Sequence, residues 1–293
     1  MTAPAQIVSE FRGQRDLEVL AWPALDDAGV QAIVTTTRGG VSAGPYATLN
    51  LSLSVGDDPA AVLENRRRVA AALDTQLDSF VFARQVHSGA ARVVTAADRG
   101  RGTLSVEDAV PDTDALVTAD PRVTLAILAA DCVPVLLCDP AAQVLACVHA
   151  GWRGTVAGVT GAALDAMAGL GASADRVLAA IGPAIAASRY QVGGEVAEQV
   201  RDRLGEDSGV LRPDGTGRWL LDLPAANRLL LQRAGVPGGQ IHTTPAVTGP
   251  SRAGGGERED GMFFSDRTAR PCGRLALVAR LPGTGGAGQG GQR

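Results

Sequence analysis

The sequence contains no lysine, and all 27 of its basic residues are arginines. Catalysis through a Schiff base on a lysine is therefore excluded. The net charge is −4 and the isoelectric point about 5.4, so the chain lacks the strongly basic character with which proteins bind nucleic acids or anionic membranes. We expect neither a nucleic acid nor a membrane among its partners.

Long apolar runs are also missing. No stretch approaches the roughly 18 uncharged apolar residues that cross a bilayer, and the N-terminal segment has no basic region followed by an apolar core, which a signal peptide requires. We therefore expect a cytoplasmic protein. Its four cysteines are expected to be reduced thiols, because disulfides persist mainly in oxidising compartments.

Short apolar runs predict buried secondary structure. Three runs without charged residues are bounded by turn residues: 123–130, 133–138 and 144–148. Each predicts a buried strand. Residues 59–73 have apolar residues at helical spacing, and the arginines at 66–68 are interpreted as the solvated side of that helix. A further helix is expected to start near Thr155.

Strands and helices follow one another without strict alternation. This pattern predicts the α+β class, with a single domain of mixed β-sheets and flanking helices. The domain is expected to cover residues 1–281, and the polar residues 1–18 are expected to begin as a frayed end. The Gly-rich residues 282–293 predict a disordered tail.

Histidine is rare, and two of the three histidines end apolar stretches. His87 follows FVFARQV, His149 follows VLACV, and Cys132 lies between two predicted strands. Three strand ends that each present a soft or borderline metal ligand predict one site. Two imidazoles and one thiolate would leave a fourth position open, as in catalytic zinc sites, where the pKa of a water falls to roughly 7.

Two other interpretations of these residues stay open. Cys132 and His149 could form a nucleophile–base pair, because an imidazole and the helix N-terminus expected nearby both favour a thiolate. Alternatively, all three residues are buried and structural, since a free cysteine often packs as a small apolar side chain.

Two arginines are candidates for binding an anionic group. Arg38 precedes two glycines, in a loop that could bring backbone amides and a guanidinium against an anion, although a plain hairpin turn explains the loop equally well. Arg153 could meet an anionic substrate group or pair with an acid. Asp131 is expected on the strand face opposite Cys132, where it would hold a loop or an arginine.

Six motifs follow one another between residues 30 and 281: TTRGGVSAGPYATLNLSLSVGDDPAAVLENR, RQVHSG, DALVT, ADCVPVLLCDP, VHAGWRGT and IGPAI. In this order they resemble the laccase-domain or multicopper polyphenol oxidase family, also called the peptidoglycan editing factor and purine nucleoside phosphorylase family. The resemblance implies that His87, Cys132 and His149 are zinc ligands and catalytic residues in one pocket.

The resemblance also implies a reaction. Family members of this kind phosphorolyse adenosine, inosine and methylthioadenosine to the base and a sugar 1-phosphate, and they deaminate adenosine by hydrolysis. The expected partners are therefore a small-molecule nucleoside and phosphate; no oligomeric state is predicted. The implied substrate-binding residues are Arg38, Asn50, Arg153 and Arg267.

The sequence departs from the family pattern near its end. Asp266 and Thr268 stand where the pattern has a tyrosine and a second arginine. If these residues shape the pocket, substrate preference will differ from that of the family.

Alternative activities can be weighed on the same residues. Full multicopper chemistry is excluded, because several copper ions need more ligands than three histidines provide. A single Cu²⁺ in place of Zn²⁺ suits the same ligands and would make the chain a polyphenol oxidase. The other alternative is a cysteine hydrolase, or an editing factor acting on peptidoglycan precursors.

Overall fold

Two six-stranded sheets pack face to face, and helices cover their outer faces. The structure is a computed structural model that describes residues 8–250 and 261–281. The strands are β1 Glu10–Gln14, β2 Leu17–Ala21, β3 Gln31–Thr35, β4 Phe80–Phe82, β5 Ala91–Val93, β6 Ala115–Thr118, β7 Thr124–Ala129, β8 Val133–Asp139, β9 Val144–Ala150, β10 Leu178–Ile181, β11 Gln191–Gly193, β12 Leu211–Pro213, β13 Arg218–Leu221, β14 Ile241–Thr243 and β15 Leu275–Arg280. The α-helices are α1 Pro23–Asp27, α2 Pro59–Ala72, α3 Trp152–Ala157, α4 Val159–Ala168, α5 Gly194–Leu204 and α6 Leu223–Arg233.

Both large sheets are mixed. The first sheet has the order β1-β2-β3-β15-β7-β4, and the second has the order β14-β10-β8-β9-β6-β5. Their neighbouring strands are antiparallel except for the parallel pairs β4–β7, β5–β6 and β10–β14. A small third sheet, β11-β13-β12, is antiparallel. Mixed sheets with flanking helices confirm the predicted α+β class.

The sheets are buried on both faces. On β8, Val133 and Val135 pack with the core beneath α4, α5 and α6, whereas Leu136 and Cys138 pack in the core between the two sheets. The outer face of the first sheet packs against α2. Because no face of β8 reaches water, its sequence shows a continuous apolar run instead of alternation.

Most predicted elements are present with small shifts. The three buried strands form as β7, β8 and β9, and the helix expected at residues 59–73 is α2. Its start is capped by Asp58, whose carboxylate accepts from the Ala60 backbone N–H. The helix expected near Thr155 begins three residues earlier, at Trp152, and is interrupted at Gly158, where φ is +87°.

Two expectations need correction. The segment interpreted as a polar, frayed start contains, from residue 10 onward, the antiparallel hairpin β1–β2, which is held because β2 pairs with β3 and buries Leu17 and Val19. The arginines at 66–68 do not all face solvent. Arg66 is buried, since it stacks on the Phe82 ring and donates hydrogen bonds to backbone carbonyls.

Some expectations concern residues that the structure does not describe, and others are left untested by it. The predicted tail at 282–293 lies outside the described residues, and the single-domain boundaries at 1–281 stay a prediction. Within the described residues, no helix has both the length and the apolarity needed to cross a membrane.

Leu136 offers a test of the core between the sheets. It is fully buried there, so Leu136→Ala should lower the free energy of unfolding by about 2–5 kcal/mol through lost burial and a residual cavity. Urea unfolding would measure the change. Leu104→Ala is the matched control: this leucine is 65% exposed, and the expected change is within about 0.5 kcal/mol. Equal losses in both variants would contradict the arrangement of the sheets.

Candidate active site

Three potential metal ligands come together where the chain passes from one sheet to the other. His87, Cys132 and His149 each offer one ligand atom, and these atoms all lie within 4.8 Å of one another. The Cys132 Sγ is 3.7 Å from the His87 Nε2, and the two imidazole rings meet edge to face with centroids 4.9 Å apart. A tetrahedral zinc ion would separate a thiolate and an imidazole ligand by roughly 3.6 Å, so the donors fit such an ion.

The sheet topology explains this convergence. Cys132 lies in the connection between β7 of the first sheet and β8 of the second. His149 lies on β9, paired opposite Pro134 at the start of β8. His87 follows β4, which pairs with β7. Each ligand therefore stands at or next to a strand that neighbours the strand of another ligand.

The buried carboxylate of Asp114 holds two of these segments together. It accepts hydrogen bonds from the backbone N–H groups of Val86, His87 and Ser88 at 3.2, 3.0 and 2.6 Å. His87 has φ +60°, a left-handed conformation that turns these successive amides toward one anion. The same carboxylate is 2.9 Å from the His149 Nδ1. With the Nδ1 proton donated to Asp114, the His149 Nε2 is free to act as a ligand.

The charges of the metal-free chain reinforce one another. Burial disfavours the Cys132 thiolate, but His149 and His87 outweigh it and lower the pKa of Cys132 to about 6. Burial also disfavours a charged His149, yet Cys132 and Asp114 raise its pKa to about 9. Burial opposes ionisation of Asp114 as well, and hydrogen bonds from His149 and Ser88 lower its pKa to about 2. Cys132 is therefore a thiolate at neutral pH, which is the form that binds metals.

Gly151 allows the ligands to approach so closely. A Cβ at this position would lie 2.7 Å from the His87 Cδ2 and 2.9 Å from the Cys132 Sγ. Both distances are below any ordinary contact, so a larger residue would displace one ligand or the other.

A cavity of about 650 Å³ opens above the cluster, and all three candidate ligands line it. Arg153 and Arg267 also line this cavity. The Arg153 guanidinium stacks 4.5 Å from the Trp152 ring centre, and that of Arg267 lies 5.2 Å from the ring centre of Tyr190. Two of the four predicted substrate-binding residues thus reach the same cavity as the cluster.

Asp131 organises one wall of the cavity. It has φ +86°, and its carboxylate accepts from the Thr248 hydroxyl at 2.5 Å and from the backbone N–H of Arg267 at 2.6 Å. The residue before Cys132 therefore ties down two loops, in agreement with the expectation that it would hold a loop.

The other two predicted substrate-binding residues do not line the cavity. Arg38 pairs with the Glu18 carboxylate at 2.8 Å on the protein surface, so its guanidinium already has an anionic partner. Asn50 is fully buried: its amide donates to Asp57 at 2.9 Å, and its carbonyl accepts from the backbone N–H of Arg274. Asn50 supports the cavity wall indirectly, because Arg274 lines the cavity.

Sequence reasoning missed Asp114, Tyr190 and Arg66. Asp114 left a usable signal, because it opens the buried strand DALVT and a carboxylate there requires partners. Tyr190 and Arg66 left none, since they reach the cavity through contacts between segments remote in the chain.

Comparison with known proteins decides the family. Residues 31–282 match the family described as multi-copper polyphenol oxidoreductase laccase. The chain belongs to this family.

Known proteins are similar to this chain in sequence and in fold. "Purine nucleoside phosphorylase YlmD" of Geobacillus stearothermophilus is 39% identical over 261 residues, which cover 86% of this chain and 91% of the relative. "Adenosine deaminase RL5", from an unknown prokaryotic organism, is 40% identical over 215 residues, covering 73% and 82%. The crystal structure of the Bacillus licheniformis hypothetical protein YfiH superimposes with a TM-score of 0.85 at 34% identity, covering 92% of this chain and 98% of that one. The sequence relatives are named as enzymes, which confirms that the chain is an enzyme and supports a nucleoside-processing activity.

Gly151→Ala tests whether the close approach matters for metal binding. Gly151 has φ −72°, which any residue adopts, so the substitution adds only the steric conflict with His87 and Cys132. We expect the metal affinity to fall roughly 10–100-fold, as it does when the surroundings of ligands are disturbed. Titration of the stripped protein with zinc against a competing chelator would measure it.

Gly161→Ala is the matched control. A Cβ at Gly161 meets no atom within 4 Å, so this variant should bind metal as the unmodified protein does. Unchanged affinity in both variants would show that Gly151 does not govern the spacing of the ligands.

Proposed function

We propose that this chain is a zinc-dependent purine nucleoside phosphorylase that acts on adenosine, inosine and methylthioadenosine and also deaminates adenosine. The names of its relatives support the reaction class. The observation that carries the proposal is the cluster of two imidazoles and one thiol at the base of an arginine-lined cavity.

The donor set suits zinc. Imidazole nitrogen and thiolate sulfur are the ligands that zinc prefers, and three protein ligands are typical of catalytic sites. His87, Cys132 and His149 would hold the ion, and Asp114 would fix the orientation of His149. When bound, zinc supplies Lewis acidity, which makes hydroxide available at neutral pH for hydrolytic deamination.

Phosphorolysis requires an anion beside the sugar. An oxygen of phosphate forms a bond to C1′ of the ribose while the bond between C1′ and the purine nitrogen breaks. The electron pair leaves with the purine, which takes up a proton. Arg153 and Arg267 would neutralise and orient the phosphate, because guanidinium groups bind phosphate oxygens with two parallel hydrogen bonds.

Copper remains the alternative metal. A thiolate and two imidazoles also suit copper, and the family description names copper oxidoreductases. Metal analysis of the protein purified without added metal, together with assays on adenosine and on a phenol, separates the two. Turnover of the phenol alone by a copper-loaded protein would contradict the zinc proposal.

Removal of a ligand tests the proposal directly. His87→Ala and Cys132→Ala should each reduce bound zinc from one equivalent toward none. The phosphate-dependent release of adenine and ribose 1-phosphate should fall by roughly 100-fold or more, because a ligand itself is removed. Changing a residue that only supports a ligand typically costs about 10–100-fold. Plasma mass spectrometry would measure the metal, and chromatography would measure the products.

His242→Ala is the matched control. His242 is the third histidine, and its Nε2 lies 3.2 Å from the Ser9 hydroxyl, away from the cluster. This variant should keep both metal and activity. Full activity in a metal-free Cys132→Ala protein would contradict the proposal.

A cysteine hydrolase is the second candidate, because the pKa of Cys132 is lowered to about 6 and an imidazole lies 3.7 Å away. Iodoacetamide separates the two candidates. In chelator-stripped protein, alkylation of Cys132 should accelerate as the pH rises through about 6, where the thiolate forms. Burial raises the pKa of Cys138 to about 12 and also raises that of Cys147, so these thiols should stay unmodified.

For the zinc enzyme we expect the metal to protect Cys132 from alkylation and chelators to abolish activity. A protein that keeps its activity after chelation and loses it on alkylation would instead be a cysteine hydrolase.

A further inference from the structure

Arg66 is a buried cation in the wall of the same cavity. Only 3% of its surface is exposed. Its Nε donates to the Leu51 carbonyl at 2.9 Å, and its Nη1 donates to the carbonyls of Gly102 and Thr103 at 2.6 and 2.8 Å. The guanidinium carbon lies 4.0 Å from the centre of the Phe82 ring. The group is therefore held in one orientation by two loops and an aromatic face.

No carboxylate in the described part of the chain forms an ion pair with Arg66. Its neighbours on α2 differ, because Arg67 and Arg68 both lie within 4 Å of the Glu64 carboxylate. A buried charge is normally matched by an opposite charge, since backbone carbonyls compensate only part of the lost hydration. Burial accordingly lowers the pKa of Arg66 to about 10. The charge is the kind that a bound anion would stabilise.

One amino group of the guanidinium is unused. The Nη2 group of Arg66 has no hydrogen-bond partner among the described residues, and it is not sealed off from the cavity. Arg66 lines the cavity together with Ser52 and Ser54, whose hydroxyls lie 3.0 Å apart. The Nη2 group and this pair of hydroxyls thus line the same cavity, and because only one of the two hydroxyls donates to the other, one hydroxyl hydrogen stays available for a ligand.

Other cavity arginines have partners or water. Arg270 and Arg274 both pair with Asp266. Arg84 pairs with Asp112 at 3.0 Å. Arg153 and Arg267 are exposed, so solvent hydrates them. The uncompensated buried charge lies at Arg66.

We propose that Arg66, with the hydroxyls of Ser52 and Ser54, forms a binding site for a phosphate group inside the cavity. This inference rests on the proposed function for the choice of phosphate among anions. The phosphate could be free orthophosphate, the second substrate of phosphorolysis, which Arg66 would then bind in addition to Arg153 and Arg267 of the same cavity. It could equally be the phosphoester of a nucleotide. A guanidinium held in place suits both, because its free Nη2 group keeps charged N–H donors in a fixed position for a phosphate oxygen.

Calorimetric titration of the full-length, metal-loaded protein with inorganic phosphate tests the site. Arg66→Met should weaken phosphate binding about tenfold or more, because a hydrogen-bonded charged contact is lost. Arg67→Met is the matched control: it removes the same charge one residue away, from an exposed side chain, and should leave affinity within about twofold. Equal binding by Arg66→Met and the unmodified protein would overturn the proposal.

A second variant tests the site independently, because Arg66 also bonds to two loops and Arg66→Met could fail to fold. Ser54 is exposed, so Ser54→Asp should fold, and its carboxylate should repel phosphate and compete for the Nη2 group of Arg66. Loss of phosphate binding in folded Ser54→Asp supports the site. Phosphate binding by Ser54→Asp with unchanged affinity overturns it.

Adenosine and AMP, titrated in parallel, identify the source of the phosphate. Saturable binding of orthophosphate, lost in Arg66→Met while adenosine still binds, points to the free ion. Tighter binding of AMP than of adenosine, with the difference lost in Arg66→Met, points to the phosphoester. If the unmodified protein does not bind orthophosphate, and binds AMP no more tightly than adenosine, the site does not exist.

The same data separate this inference from the proposed function. Phosphorolysis that persists unchanged in Arg66→Met, with unchanged phosphate affinity, contradicts the site alone. Phosphate binding that depends on Arg66, in a protein with no activity on any purine nucleoside, contradicts the proposed function alone.

Discussion

The Asp114 carboxylate is the interaction on which the candidate site depends. It lies in a region without solvent, where an unpaired anion would cost several kcal/mol, and it is stabilised by three consecutive backbone amides, the Ser88 hydroxyl and the His149 ring. The His87 segment, which has no regular secondary structure, is thereby fixed to strand β9. The same group selects the His149 nitrogen that faces the cavity. One buried charge thus fixes the positions of His87 and His149 and the hydrogen bonding of the His149 ring.

The face-to-face packing of two mixed sheets determines where such a site can form. Chain segments that cross from one sheet to the other are few, and the β7–β8 connection is one of them. Cys132 lies in this connection, next to an aspartate in the left-handed conformation. Backbone strain of this kind persists only where the surroundings hold it, and here the Asp131 carboxylate is bonded to two loops. Rigid strands therefore supply the base of the cavity, while loops bonded to them supply the walls.

The sequence predicted what is encoded locally and missed what is encoded by contacts between distant segments. Continuous apolar runs indicated β7, β8 and β9, because burial on both faces leaves a direct mark on composition. The rare histidines and Cys132 stood at strand ends, so their proximity could be foreseen. The surroundings of Arg38 could not be foreseen: a loop sequence suited to anions gives no sign that Glu18 already pairs with the arginine. Arg66 was misjudged because helical periodicity does not reveal a partner ring 16 residues away in the chain, at Phe82.

The charge pattern of the cavity differs from that of the whole chain, and the difference bears on selectivity. The chain as a whole is acidic, with a net charge of −4, yet the cavity wall carries six arginines and two aspartates: Arg66, Arg84, Arg153, Arg267, Arg270, Arg274, Asp131 and Asp266. Field lines of one sign are concentrated in clefts with low-dielectric walls, so an anion is attracted there while the outer surface repels it. Asp266 cancels part of this field where it pairs with two arginines. The arginine charges are therefore balanced unevenly, and among the described residues the buried Arg66 has no acid paired with it. A ligand with one neutral end and one anionic end would consequently bind in a single orientation.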